Sequence, residues 1–249
     1  RYRSPFVGHP TRKVPGIEMN TGALGHGLPI SVGLAIAEEA DQWIGFAEMQ
    51  RMIGEIANDY VQPGTSIYDL GCATCNALFE LDPILPKDVK FVGIDFSQDM
   101  LDQAKEKITR AGMKRDYELV CADLNDDIEV ANASVVIMNL TLQFIRPVRR
   151  QRVMTNIAKG MLPGSCILVV EKVLSKDSKI NRSFIKYYYD FKQRNGYSEM
   201  EIAQKREALE NVLIPYRLEE DYELFLDSGF SFADVFFKWY NFCGIIAVK

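Results

Sequence analysis

"YDLGCATCNALFEL", Tyr68 to Leu81, decides the fold. An apolar, aromatic run meets an acid, then a glycine, then a helix-forming stretch, the strand–turn–helix order of nucleotide-binding α/β proteins. The turn holds a single glycine, Gly71, and two cysteines. A dinucleotide loop needs three glycines so that backbone can press against a pyrophosphate, and those positions here hold Gly71, Ala73 and Asn76. NAD and FAD are therefore disfavoured. S-adenosylmethionine carries no phosphate and tolerates a looser turn beside an acidic strand end, so it is the cofactor expected.

Working outward, strand-like and helix-like runs alternate. "SIYDL", "KFVGID", "YELVCAD", "ASVVIMN" and "SCILVVEKV" read as strands, and "FADVFFKWYN" with "FCGIIAVK" as a closing pair. Before them, "FAEMQRMIGEIANDYV" places Met49, Ile53, Ile56 and Tyr60 at helical spacing, stopped by Pro63-Gly64. "SQDMLDQAKEKITRA" has Ser97 as N-cap and Gly112 as its stop. "RRQRVMTNIAKGM" supplies another helix. The pattern predicts an α/β fold: a Rossmann-like, mostly parallel seven-stranded sheet with helices on both faces. "SKINRSFIKYYYDFKQRNGY" and "SEMEIAQKREALENV" form a helical insertion at about 178–211.

Composition narrows the rest. The chain has 249 residues, 47% of them hydrophobic, with net charge −5 and pI about 5.3, so it lacks the basic field that clamps nucleic acid. "RPVRRQR", Arg146 to Arg152, is the densest basic patch and reads as solvated helix surface. No run of 18 apolar residues suggests a membrane span, and nothing at the amino end reads as a signal peptide. The odd cysteine number (Cys72, Cys75, Cys121, Cys166, Cys243) suggests reduced, mostly buried thiols and a cytoplasmic protein. His9 and His26 lie far from the cysteines, so no metal site is expected. One domain spans 44–249, preceded by an atypical segment at 1–43 that holds six of the seventeen glycines.

Ligands of such sheets bind at the carboxyl ends of the strands. Asp69, Gly71, Asp95, Asp123, Asn139 and Glu171 collect there. Asp95 follows Gly71 by 24 residues, the spacing of an acid that accepts from a ribose diol, with capping of the next helix as its other use. Asp123-Leu124 would serve an adenine's amine and face, or be a plain turn. Asn139 ends an apolar strand and needs partners. Cys72-Ala73-Thr74-Cys75 reads as two packed thiols rather than a redox pair.

Several stretches resemble one family. "VQPGTSIYDLGC", "KFVGIDFSQDML", "NASVVIMNLTLQF" and "DFKQRNGYSEMEIAQKREALENV" are similar to the carboxy-S-adenosyl-L-methionine synthases, over residues 44–249. The resemblance implies a class I methyltransferase fold that carries out carboxyl transfer from prephenate to the methyl carbon of S-adenosylmethionine, leaving phenylpyruvate. The product would feed a partner enzyme that modifies a tRNA wobble uridine, with no direct nucleic-acid contact by this chain. A homodimer is also implied. Arg206 matches the arginine that pairs with the transferred carboxylate, a planar fork suited to it. Gly71, Cys72 and Ala73 match the cofactor loop, and Asp69, Asp95, Asp123, Leu124 and Asn139 match further contacts. Phe46 stands where the family has a tyrosine, Phe96 where it commonly has asparagine, and Cys75 where many members have glycine. Other readings are an S-adenosylmethionine-dependent small-molecule methyltransferase and a non-catalytic binding scaffold. Residues 8–39 resemble the thiamine-diphosphate loop region of transketolase, without its G-D-G motif.

Overall fold

The structure is a computed structural model that describes residues 44–249, with side chains from Ala47 onward. The 1–43 segment, with its transketolase-like stretch, and the Phe46 side chain lie outside the described residues. Helix α1 (Ile44–Tyr60) leads into β1 (Ser66–Leu70), α2 (Asn76–Leu81), β2 (Lys90–Asp95), α3 (Gln98–Ala111), β3 (Tyr117–Cys121) and β4 (Ala133–Asn139). A 3-10 turn (Leu142–Phe144), α4 (Pro147–Gly160) and β5 (Met161–Leu174) follow. The inserted helices are α5 (Ser178–Arg194) and α6 (Glu199–Leu209), and β6 (Tyr216–Arg217), α7 (Leu218–Asp227), β7 (Phe232–Trp239) and β8 (Phe242–Val248) close the chain.

The strands run in the order β3-β2-β1-β4-β5-β8-β7, the seven-stranded path expected, with the two-residue β6 paired to the side of β5. Pairing is parallel from β3 through β5 and antiparallel in the closing strands. Strand order reverses between β1 and β4, which opens a crevice at their carboxyl ends.

Continuous apolar runs such as "ASVVIMN" arise because both faces are covered. Alternate residues point opposite ways. Tyr68, Leu70, Val92, Ile94, Val136 and Met138 pack on Val153, Met154 and Ile157 of α4 and Leu224 and Phe225 of α7. Ile67, Phe91, Val135, Ile137 and Leu168 pack instead on Met49, Ile53 and Ala57 of α1, Leu78 and Leu81 of α2, and Ala104 and Ile108 of α3.

Local signals set the element ends. Ser97 caps α3, its hydroxyl accepting from Met100 N at 3.3 Å, and Gly112 ends it at φ 64°. Pro147 opens α4 at its first turn, two residues before the expected start. Strand β5 begins at Met161 rather than Ser165, its early residues joined to β4 across a register shift. "LEEDYELFLDSGF" forms α7, with Glu219, Glu220 and Asp221 in its first turn favoured by the helix dipole.

Helix α5 docks on the β7–β8 hairpin through aromatic side chains. Tyr188 meets Phe242 at 5.2 Å and Phe191 meets Trp239 at 5.1 Å, both edge-on. Leu140, the residue after β4, packs into the same cluster. Because Phe242 pairs with Lys172 near the carboxyl end of β5, α5 stands at the end of the sheet where Asp69, Asp95 and Asn139 lie. No helix among the described residues is long and apolar enough to cross a membrane.

Candidate functional site

The loop from Gly71 to Cys75 forms the floor of the crevice. Gly71 N and Cys72 N donate to the Ile94 carbonyl, at 2.8 and 3.1 Å, pinning the loop to the end of β2. Positive φ recurs at every second residue: 84° at Gly71, 46° at Ala73 and 59° at Cys75. Gly71 also lies against Thr141, since a Cβ there would fall 2.3 Å from the Thr141 hydroxyl oxygen. Only glycine meets both demands.

Asp95 binds that loop from the other side. One carboxylate oxygen accepts from Ala73 N and the other from Ser97 N, each at 2.9 Å. The carboxylate thus ties the loop to the entry of α3, and Ser97 takes the cap itself. Asp69 is buried beside it. Burial first, and then the Asp95 charge, pushes Asp69 up to about 7. Burial also raises Asp95, against the pull of its N–H donors. Two buried acids at neighbouring strand ends, one of them near neutrality, suit a cationic ligand, which would draw both back toward the ionised form.

The remaining strand ends differ in what they offer. Asp123 is exposed and makes a turn, one oxygen accepting from Asn125 N at 2.8 Å and from Asn125 Nδ2 at 2.9 Å. Leu124 behind it is buried, whereas Phe96 at the end of β2 is 47% exposed and offers a ring face. Asn139 is the pointed case: its side-chain oxygen is buried without a partner among the described residues. Such an orphan acceptor costs about 1–3 kcal/mol unless a donor arrives.

The two loop cysteines are free and buried, with both sulfurs packed against Gly93 of β2. A Cβ on Gly93 would fall 2.9 Å from Cys72 Sγ and 3.2 Å from Cys75 Sγ. The neighbouring Cys75, then burial, push the Cys72 thiol far up, so it stays protonated and unreactive. They are packed thiols, as expected. Cys166 and Cys243 are buried as well, while Cys121 is exposed.

Arg206 lies on α6, exposed and without an ion pair among the described residues. Helix α6 packs against α5. Phe46 falls on α1, but its side chain is outside the described residues.

Two readings of the sequence are corrected. Glu171 does not face the crevice. It shares the period-two face of Val169 and Val173 and is buried against α4 and α7. Arg150 is not solvated surface, as its patch suggested, but wholly buried. Its spacing before Val153, Met154 and Ile157 puts it on the inner face of α4, a signal the local charge density masked. The arginine's Nε donates to the Ile145 carbonyl at 2.9 Å, and Nη2 to the Ile214 carbonyl at 2.5 Å and the Gln143 carbonyl at 3.3 Å. Its guanidinium stacks 4.0 Å from the Tyr216 ring centroid. Glu171 and Asp221 lie beside it, and no donor from any other described residue reaches their oxygens. Burial raises Glu171 well above the carboxylate range, with the Asp221 charge adding to it, so Glu171 keeps its proton and shares it with Asp221. Burial also pushes Asp221 up to about 7, against the pull of Glu171 and Arg150.

Comparisons with known proteins follow the same lines. Residues 67–164 match the family model for a methyltransferase domain. A carboxy-S-adenosyl-L-methionine synthase of Methylococcus capsulatus is 52% identical over 205 residues, which is 82% of this chain and 85% of the relative. Another, of Sulfurimonas denitrificans, is 40% identical over 82% of this chain and 86% of its own. Among solved structures, a Nostoc punctiforme protein superposes with a TM-score of 0.64 at 14% identity, covering 90% of this chain and 61% of its own. Mitomycin 7-O-methyltransferase gives a TM-score of 0.55 at 14% identity over 86% of this chain and 58% of its own. Those two likenesses concern the fold.

Proposed function

The chain belongs to the carboxy-S-adenosyl-L-methionine synthase family, and from that premise we propose that it binds S-adenosylmethionine and transfers a carboxyl group to it from prephenate. The observation that carries the proposal is the 52% identity across 205 residues, 82% of the chain and 85% of the relative. Atoms balance as prephenate and S-adenosylmethionine giving phenylpyruvate, water and the carboxylated cofactor. The product serves a partner enzyme acting on a tRNA wobble uridine, in the cytoplasm, where free thiols such as these persist. Two copies associate as a homodimer.

The residues fit the ligand. Gly71, Cys72 and Ala73 let backbone approach its amino-acid tail, and the buried Asp69 and Asp95 supply charge opposite a cation. Asp95 retains lone pairs that would accept from a ribose, Phe96 and Leu124 would supply apolar contacts to an adenine, and the free oxygen of Asp123 would be available to its amine. Asn139 offers its unpaired oxygen to a donor. By the same family resemblance Phe46 is a further cofactor-binding residue, one without a hydroxyl to give. Bound there, S-adenosylmethionine supplies the methyl carbon that accepts the carboxyl group. Arg206 is the catalytic residue, its fork pairing with the carboxylate as it is transferred. Positioning and charge carry the work, so no side-chain base is required.

The test is incubation with S-adenosylmethionine and prephenate, followed by mass spectrometry of the cofactor. A gain of one carboxyl group is expected. S-adenosylhomocysteine formed with an added acceptor would overturn the proposal in favour of methyl transfer. Cofactor binding without turnover would overturn it in favour of a scaffold. In the same assay Arg206→Ala should weaken retention of the carboxylated product at least about tenfold more than that of S-adenosylmethionine. Equal losses would remove its assigned role.

A further inference from the structure

The chain between α6 and β6 is short, and its bonding is unusual. After Leu209 the backbone turns back on itself, Val212 N and Leu213 N both donating to the Leu209 carbonyl at 3.1 and 3.0 Å. Ile214 N then donates to the Gln143 carbonyl at 3.0 Å. That carbonyl also receives Arg150 Nη2, which holds the Ile214 carbonyl as well. One guanidinium therefore clasps both sides of the contact between the insertion's return and the body. Tyr216, two residues on, lies flat against it.

Gln143 extends the network toward the crevice. Fully buried, its amide donates to the Leu140 carbonyl at 3.3 Å and accepts from Lys172 N at 2.9 Å. Two residues before it, Thr141 covers Gly71 and donates to the Asn139 carbonyl at 3.1 Å. A single turn thus touches the cofactor loop on one side and, on the other, holds Ile214 in the return from α6.

We infer that Arg150, backed by Glu171 and Asp221, is a positioning residue that fixes the last turn of α6, and with it Arg206, relative to the S-adenosylmethionine crevice. The inference rests on the assignment of Arg206 above. Arg206 lies three residues before Leu209, less than one helical turn, so the anchor at Ile214 sets where its side chain emerges. The two carboxyl groups hold the cation without drawing its N–H groups away. Nε and Nη2 go to carbonyls, and Nη1 has no hydrogen-bond partner among the described residues. Lysine is a poor substitute, because a point charge cannot bridge two carbonyls and stack on a ring.

The test compares the full chain with Arg150→Met, Arg150→Lys and Tyr216→Leu. Amide exchange and S-adenosylmethionine affinity are read alongside carboxylation kinetics. Arg150→Met should speed exchange across 206–217 at least about tenfold, leaving β1 and β4 and the cofactor affinity within about threefold of wild type. Its kcat should fall at least about tenfold more than its KM for prephenate rises, and Arg150→Lys should recover part of both signatures. Tyr216→Leu loosens the clasp from the insertion's side without unpairing a buried charge, and should give a smaller version of the same local pattern. Exchange that rises equally over the sheet, or stays unchanged at 206–217 in the variants that fold, overturns the inference. A wild-type protein without carboxylation but with the local exchange pattern would leave the clasp standing and remove the activity.

Discussion

Gly71 has two independent reasons to lack a side chain, its φ of 84° and the Thr141 hydroxyl against it. Gly71→Ala should therefore destabilise the protein by about 3 kcal/mol, of which about 1–2 kcal/mol is the left-handed backbone. Adding Thr141→Ala removes the overlapping atoms and should restore the steric share alone, a partition readable by urea denaturation. If the double variant is no more stable than the single one, the close approach is not what excludes alanine. At this scale the sequence was legible where residue type and spacing together fixed a position, as for Asp69 and Asp95 at strand ends, Ser97 at a helix entry and Cys75 as a packed thiol. Cys75 hid something else, a left-handed φ of 59° at a position where the family often has glycine. Arg150 was not legible, because charge density in a short window says nothing about which side of a helix a charge occupies.

Helix α6 shows how an element can exist with little apolar support. Ile202 is its only buried residue, so its start depends on the capping box. Ser198 accepts from Glu201 N at 3.2 Å, and Glu201 answers by accepting from Ser198 N at 2.8 Å. Ser198→Ala should cost about 1 kcal/mol of local stability and raise amide exchange over 199–209. Cofactor affinity should not change, because α6 lies outside the floor of the crevice; a loss of affinity would place the helix within it. Ser97 and Gly112 marked α3 in advance, the two inserted stretches read as the helices that are α5 and α6, and apolar runs announced the main strands. Neither signal exists for β6, whose two residues form a strand only because Val173 and Leu174 lie beside them. The early start of β5 was equally hidden, since Pro163 and Gly164 look like a turn until β4 is seen next to Met161.

For the whole molecule, the buried acids set a pH dependence. Burial pushes Asp69 and Asp221 up to about 7 and holds Glu171 well above the ordinary carboxylate range. The folded state thus holds protons that the unfolded chain releases near pH 4, and the stability they contribute declines as pH rises from about 4 toward 7. Arg150 on α4, Glu220 on α7, Lys238 on β7 and Cys243 on β8 are the charged or titratable groups around the Glu171–Asp221 pair. Glu171→Gln keeps a donor for Asp221 but removes one titration. Its unfolding free energy should fall less than that of wild type between about pH 5 and pH 8, as measured by denaturant titration. An identical fall would mean that the pair does not hold the proton. Fold class followed from the alternation of strands and helices. The paired acids did not, because Glu171 and Asp221 meet only once the insertion and α7 have folded back on β5.

The insertion leaves the sheet after Leu174 and rejoins it at Tyr216, with Val173 and Leu174 the register partners of Tyr216 and Arg217 in the β5–β6 pairing. Its two stems therefore stand side by side, so the ring is closed at its base whatever lies between. Residues 175–215 are in that sense a cartridge. A different helical pair, longer or shorter, could be seated on the same stems without moving the body strands, provided that the carbonyl taken by Arg150 is kept. Changing which donor is admitted above a fixed nucleoside floor would then be a matter of exchanging the cartridge rather than rebuilding the sheet.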